Sequence, residues 1–376
     1  MVPYSGYKHL PLLEYAKGLF PRSHLKNTYV LACQHVLPST HMMLRSMFDM
    51  GLKKDNCALI GKCYSTDDVT MDNMRKEGIY VCGSSNFFKP NESFDNQFRD
   101  NVNFFLQEQL ARMRPPKDAH IIILDDGAEL LSEARGLVKL YPNIYGVEQT
   151  SSGYHKLAYT DISFPIRNVA LSKEKLNFES PFIASAIIQT LEDRIALSQI
   201  SKKEILLVGN GFIGKEVLKL LKEAPYLHHN ITKYDIVEEK SDIDYLDFSK
   251  FDIILGATGN RMMTHNYFDS LKDNAVLVSL SSSDREFDGS YFRKLAGGNM
   301  KVHDDVTYKG ISLLNCGFPL NFNGLDKVSV PLVKIQLVCA LLLLGVCDFK
   351  NCEREQKHFL QLNKELVDKI IQKFKK

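Results

Sequence analysis

His35, Asp126 and Gln149 each fall just past a short apolar run: Tyr29-Val30-Leu31-Ala32-Cys33, Ile121-Ile122-Ile123-Leu124, and the run over 144–147. An imidazole and a carboxylate can pass a proton near neutral pH, and an amide can both donate to and accept from a hydroxyl. The second chemical feature is Gly209-Asn210-Gly211-Phe212-Ile213-Gly214, spaced Gly-x-Gly-x-x-Gly. Ile205-Leu206-Leu207-Val208 precedes it, and Lys215-Glu216-Val217-Leu218-Lys219-Leu220-Leu221 follows with helical periodicity. A buried strand, a tight turn and a helix N-terminus are expected there, with amide N–H groups placed to hold a pyrophosphate. Asp235 follows the strand-like run Ile231 to Tyr234, where a carboxylate would meet an adenosine ribose. A lone glycine spacing is common, but strand, loop, helix and downstream acid together indicate a dinucleotide. Taken singly, Asp126 reads better as a turn residue and His35 as a satisfied histidine.

The elements that must position these residues alternate. Strand-like runs at Tyr29-Val30-Leu31-Ala32-Cys33, Ala58-Leu59-Ile60-Gly61, Ile79-Tyr80-Val81-Cys82 and Ile121-Ile122-Ile123-Leu124 are separated by helical patterns over 39–50, 67–76 and 94–114. A helix over 129–140 and a strand over 144–147 complete this half. Residues 1–26 read as irregular, 160–180 as a crossing without periodicity, and 183–200 as a helix leading into the glycine loop. Beyond the loop, Ile253-Ile254-Leu255-Gly256-Ala257-Thr258-Gly259 and Ala275-Val276-Leu277-Val278 continue the alternation, and the last fifty or so residues are helical. Such alternation implies an α/β fold whose parallel sheets are covered on both faces, with ligands at the carboxyl ends of the strands.

A length of 376 residues implies two domains. A net charge of +2, with no basic run before 373–376, argues against nucleic acid as a partner. The cysteines Cys33, Cys57, Cys63, Cys82, Cys316, Cys339, Cys347 and Cys352 contain no CxxC pair and no zinc spacing, so reduced thiols and no metal are expected. Met1-Val2-Pro3-Tyr4 does not open a secretory signal, and the charge-free stretch 335–347, which includes Gln336, is too short to span a bilayer. A cytoplasmic protein without a membrane partner is expected.

In their order, these pieces resemble the adenosylhomocysteinase family over roughly residues 27–345. Ala32-Cys33-Gln34-His35 is similar to the family's Ala-Cys-Leu-His, and Ile123-Leu124-Asp125-Asp126-Gly127 to its Ile-Leu-Asp-Asp-Gly. Gln149-Thr150-Ser151-Ser152-Gly153 stands where the family has Glu-Thr-Thr-Thr-Gly, and Lys175 matches a family lysine. The glycine loop, Ala257-Thr258-Gly259 and Asn315 follow in order. The resemblance implies NAD as cofactor, transient oxidation of a ribose 3′ carbon, removal of the C4′ proton, and loss of a 5′ thioether. It implies Lys175 for the 3′ hydroxyl with Glu179 beside it, Asp126 as the C4′ base, and His35 at the leaving group. Gln149, Ser39, Leu37 and Phe318 would line the substrate. Thr150, Ser151, Ser152, Ser180, Gly209, Gly211, Phe212, Ile213, Gly214, Asp235, Ala257, Thr258, Gly259 and Asn315 would hold the cofactor.

The departures cluster on substrate recognition. Gln149 replaces a glutamate, Glu179 and Ser180 an Asp-Asn pair, Ala170 an asparagine, Leu37 and Ser39 a Thr and a Glu, and Ser282 and Phe318 two histidines. A protein without the family's subunit-clamping tail is expected. The expected protein is therefore an NAD-dependent enzyme of this kind, acting on a nucleoside or related sugar with altered base and leaving-group recognition. The competing expectation is a non-catalytic relative that binds NAD or a nucleotide and a protein partner. The expected layout is a substrate domain over 1–172, a Rossmann domain over 184–320, and a helical segment over 325–376 that completes the first domain. Hinges are expected near 173–183 and 320–328. A homodimer is compatible with this layout, a tetramer less so.

Overall fold

The computed structural model describes residues 10–195, 202–223, 230–324, 332–351 and 359–375. Cys352, Lys376, the end of the 183–200 helix, the second part of the 320–328 crossing and the start of the 325–376 segment lie outside the described residues. The chain divides into two compact units. One comprises Met1–Phe87, Phe98–Leu176 and Pro331–Lys376, the other Phe88–Gln97 and Asn177–Val330.

The first unit contains β1 (Thr28–Cys33), β2 (Cys57–Ile60), β3 (Tyr80–Val81), β4 (His120–Asp125), β5 (Ile144–Glu148) and β6 (Ile166–Asn168). The second contains β7 (Ile205–Val208), β8 (Ile231–Tyr234), β9 (Ile253–Gly256), β10 (Val276–Ser279), β11 (Val306–Tyr308) and β12 (Ile311–Leu313). A last strand, β13 (Phe359–Gln361), returns to the first unit. The first sheet has the order β13-β6-β5-β4-β1-β2-β3, and every pair in it is parallel. Its strand order reverses between β1 and β4, which is where a doubly wound sheet opens a crevice at its carboxyl end. Val30, Leu31, Ile121, Ile122 and Ile123 are buried on both sheet faces, as a helix-covered parallel sheet requires.

One cover of this unit is the helix Leu332–Cys347, apolar almost throughout. Its polar Gln336 is satisfied because Oε1 accepts the Leu12 N–H at 3.0 Å. A Cβ at Gly345 would lie 3.0 Å from Val147 Cγ1, so glycine lets this helix approach β5 closely. Among the described residues no helix is long and apolar enough to cross a membrane, and no group of three His, Cys, Asp or Glu could hold a metal.

The second sheet has the order β11-β12-β10-β9-β7-β8. It is parallel except for the β11–β12 hairpin, which turns at Lys309 and Gly310, both at positive φ. Its reversal lies between β7 and β9. Ala184, Ile187, Ile188 and Leu191, at helical spacing, pack with Ile205, Leu207, Val217, Leu221, Ile253 and Leu255. Burying each of these larger side chains contributes about 1.5–3 kcal/mol.

Several local expectations are corrected. Residues 11–18 are not irregular but the helix Pro11–Gly18, with proline in its first turn and Leu12, Leu13 and Ala16 buried. The 129–140 helix is α only over Glu129–Glu133 and tightens to a 3-10 turn over Ala134–Lys139. The aperiodic 160–180 stretch contains β6, and the 173–183 crossing is the start of one helix, Lys173–Arg194, with Pro181 inside it. Phe88–Gln97, expected in the substrate domain, belongs to the second unit.

Candidate functional site

The carboxyl ends of β1, β2 and β4 bring His35, Lys62 and Asp126 together. Asp126 Oδ1 accepts from Lys62 Nζ, and Asp126 Oδ2 lies 3.4 Å from His35 Nε2. The other ring nitrogen, His35 Nδ1, is 2.6 Å from Ser65 Oγ. Side-chain exposure separates the three: 19% for His35, 5% for Lys62 and 3% for Asp126. His35 is thus the member that a ligand can reach. Burial pushes the Asp126 carboxyl up, but the Lys62 ammonium, then His35, hold it below the ordinary value. Burial lowers Lys62, yet the Asp126 charge raises it well above its usual range. The two form a buried, mutually neutralising ion pair. Gly127 at φ +104 and Ala128 at φ 64 make the turn that lifts Asp126 off the strand.

Lys62 escaped the sequence reading. The available signal was its position immediately past Ala58-Leu59-Ile60-Gly61, the same strand-end rule that selected His35 and Asp126. Lys175 is buried, and its charge also lowers Asp126. Gln149 is buried, and its Oε1 has no protein partner. Thr150 caps the helix Ser151–Ala158 through the Gly153 N–H, so Ser151 and Ser152 form that helix's first turn. Leu37 is the N-cap of Pro38–Asp49, and Ser39 sits in its first turn. A cavity of about 300 Å³ elsewhere in this unit, lined by residues including Leu13, Met42, Arg45 and Glu77, includes none of the three clustered residues.

In the second unit the glycine loop joins β7 to the helix Phe212–Lys222. Gly209 has φ +95, and a Cβ there would lie 2.6 Å from Ala257 O; at Gly214 it would lie 2.0 Å from Gly209 O. Those two glycines are demanded by the protein's own backbone. Gly211 differs, because a Cβ would meet nothing within 4 Å. It caps the helix at φ −79, a conformation open to any residue. Phe212 is 51% exposed at the first helical position, and Ile213 is half-buried. Asp235 accepts the Asn210 N–H at 2.7 Å and the Val237 N–H at 3.0 Å, and so anchors the loop. Asn210 Oδ1 is buried without a partner.

Glu286, another residue missed in the sequence, organises the loop after β9. Its Oε1 accepts the Thr258 and Gly259 N–H groups, each at 2.8 Å, and its Oε2 the Thr258 hydroxyl at 2.8 Å. These donors of the Ala257-Thr258-Gly259 segment are therefore engaged within the protein. Asn315, in the left-handed region, donates to Pro319 O at 3.0 Å and Phe322 O at 2.7 Å, and its Oδ1 lies 3.0 Å from His303 Nδ1. Phe318 is fully buried, its ring against Phe88 and Phe94. Glu179 is half-buried and Ser180 buried in the helix Lys173–Arg194.

No protein-family model matches the chain. Two uncharacterized proteins, from two strains of Mycobacterium tuberculosis, are each 37% identical over 343 residues, covering 89% of this chain and 67% of theirs. This chain belongs to their family. Solved structures similar to it include the NAD+-bound 3-phosphoglycerate dehydrogenase of Entamoeba histolytica, at 10% identity and TM-score 0.40, covering 86% of this chain and 96% of that one. Another is a phosphoglycerate oxidoreductase of Vibrio cholerae, at 10% identity and TM-score 0.45, covering 86% and 99%. What those enzymes bind is a property of those enzymes. The expected adenosylhomocysteinase membership is corrected accordingly: the family's curated relatives are uncharacterized, and the structural neighbours named are phosphoglycerate dehydrogenases. Of the motifs on which the resemblance rested, the glycine turn after a buried strand is common to doubly wound nucleotide-binding folds.

Proposed function

We propose that this protein is an NAD-dependent oxidoreductase acting on a small substrate at a hydroxyl-bearing or carbonyl carbon. The observation that carries the reading is Gly211. Gly209 and Gly214 are explained by backbone contacts, whereas the space over Gly211, at the N-terminus of an eleven-residue helix, is filled by no protein atom. A bare Cα there suits a pyrophosphate approaching the amides of Phe212 and Ile213. Asp235, which also anchors the loop, is the group for an adenosine ribose. Bound NAD would supply the hydride acceptor or donor.

His35 is the proton-transfer residue in this reading. It is the accessible member of its cluster, and Asp126 fixes its orientation as an ionised partner. Lys62 balances the Asp126 charge, so a proton taken by His35 is stabilised without leaving a buried carboxylate unpaired. Gln149, with an open acceptor, would take a hydrogen bond from a substrate hydroxyl.

The test is calorimetric binding of NAD to wild type and to Gly211→Ala, followed by NADH absorbance with a panel of secondary alcohols and ketones. Wild type should bind NAD. Gly211→Ala should keep its melting temperature yet bind NAD at least about tenfold more weakly, ~1.4 kcal/mol. His35→Asn should retain NAD binding and lose about 100-fold or more in turnover. Unchanged NAD affinity in Gly211→Ala, or no NAD binding by wild type, overturns the reading.

A further inference from the structure

Glu148 ends β5 with no exposed surface, in register with Asp125 at the end of β4. Its Oε1 is saturated: it accepts the Thr150 N–H at 2.7 Å, the Thr150 hydroxyl at 2.8 Å and the Gly127 N–H at 3.2 Å. Those bonds join the turn that carries Asp126 to the turn that carries Gln149. The carboxyl is also confined from above, since a Cβ at Gly153 would lie 2.4 Å from Glu148 Oε1. The other oxygen, Oε2, is buried with no partner, and Oδ1 of Asp125 has no N–H or O–H donor, only the weak donor of the Cys33 thiol beside that carboxyl, whose Oδ2 accepts the Leu131 N–H at 2.7 Å. Paired residues on neighbouring parallel strands point to the same face, about 4.8 Å apart. Two orphaned acceptors on such a pair lack one hydrogen between them.

We propose that Glu148 is a carboxylic acid at neutral pH, its proton on Oε2 directed at Asp125 Oδ1, and that this neutral acid is the positioning residue that ties the Asp126 and Gln149 turns together. One proton satisfies both orphans and removes a second buried negative charge. The surrounding charges agree. Burial, then the Asp125 charge, pushes Glu148 up to about 8, and Asp126 adds to the effect. Asp125, flanked by Lys62, Cys33 and Asp126, is raised by burial only to about 6 and is the natural acceptor. The inference does not depend on NAD binding, and its readouts are separate from that of Gly211→Ala.

The experiment is infrared spectroscopy of the full chain across pH, with Glu148→Gln, Asp125→Asn and Glu286→Gln beside wild type. Glu286 is included because burial raises it too. Wild type at pH 7 should show a buried carboxylic-acid carbonyl band that bleaches as pH rises through about 8. Glu148→Gln, an amide with the shape of the protonated acid, should lose that band, match the wild-type melting temperature at or below the ordinary carboxylate range, and melt above wild type at pH 7 because it lacks the wild-type decline in stability up to about pH 8. A wild type without the band, a band that survives Glu148→Gln, or one removed only by Asp125→Asn or Glu286→Gln overturns the proposal. Should Glu148→Gln not fold, isotope-labelled glutamate carboxyls in wild type decide it. A buried glutamate titrating near 8 upholds the assignment, and its absence overturns it.

Discussion

At His35 the two ring nitrogens face different partners, Ser65 Oγ at 2.6 Å and Asp126 Oδ2 at 3.4 Å, while Asp126 itself is committed to Lys62. A carboxylate held down by a buried ammonium is a poor base but a dependable fixed charge. Lys62→Met should expose this dependence. Removing one partner of a buried pair leaves an uncompensated charge, at a cost of roughly 3–5 kcal/mol, measurable by urea unfolding. The pH dependence should reverse as well. In wild type the depressed Asp126 contributes stability above the ordinary carboxylate range, lost as pH falls through its lowered value. In Lys62→Met, burial without the cation raises Asp126, so stability should fall as pH rises through the carboxylate range. A second change, Asp126→Asn, should restore much of the loss. If Lys62→Met is neutral, the pair is not the buried unit described.

The glycine turn shows how differently one motif's residues act within a single element. At Gly214 a Cβ would lie 2.0 Å from Gly209 O, a backbone atom with little freedom to retreat, so the helix must shift on β7. Gly214→Ala should therefore destabilise the protein by roughly 1–3 kcal/mol, read by chemical unfolding with no ligand present. Gly211→Ala should stay within about 0.5 kcal/mol of wild type in the same measurement. Equal destabilisation by both would mean that Gly211 is structural, and the functional reading would lose its support. Glu286 plays the corresponding part after β9, where one buried carboxyl substitutes for regular pairing by collecting the Thr258 and Gly259 amides.

Across the whole molecule the chain passes between its two units after residues 87, 97, 176 and 330. The excursion Phe88–Gln97 is secured in the second unit by Arg293, a fully buried guanidinium. Its Nε donates to Pro90 O at 2.7 Å, Nη1 to Cys316 O at 2.6 Å, and Nη2 to Asp284 Oδ2 at 2.6 Å and Glu92 O at 3.2 Å. Asp284 in turn accepts the Phe94 N–H at 3.2 Å. Arg293→Met should strand Asp284 and release three carbonyls, for roughly 3–5 kcal/mol, and limited proteolysis should then cut within 88–97. Resistance to cleavage equal to that of wild type would show that the clasp is not what holds the segment.

Much of the first sheet and the glycine turn was legible because each is local: apolar runs bounded by turns, and a glycine spacing set by its own backbone. The same locality produced the overreach toward one enzyme family, since strand-end acids and glycine turns serve the fold before they serve any reaction. The sequence could place His35, Asp126 and Gln149 at strand ends by a rule that treats each strand alone. It could not say which ends are neighbours. Lys62 reaches Asp126 across 64 residues because β1 lies between β2 and β4, and Arg293 reaches Pro90 across 203 because the chain makes an excursion. Whether a charge is paired, and whether Glu148 keeps its proton, depends on burial and on atoms brought from distant strands. Periodicity carries neither, so the tertiary structure alone decided them.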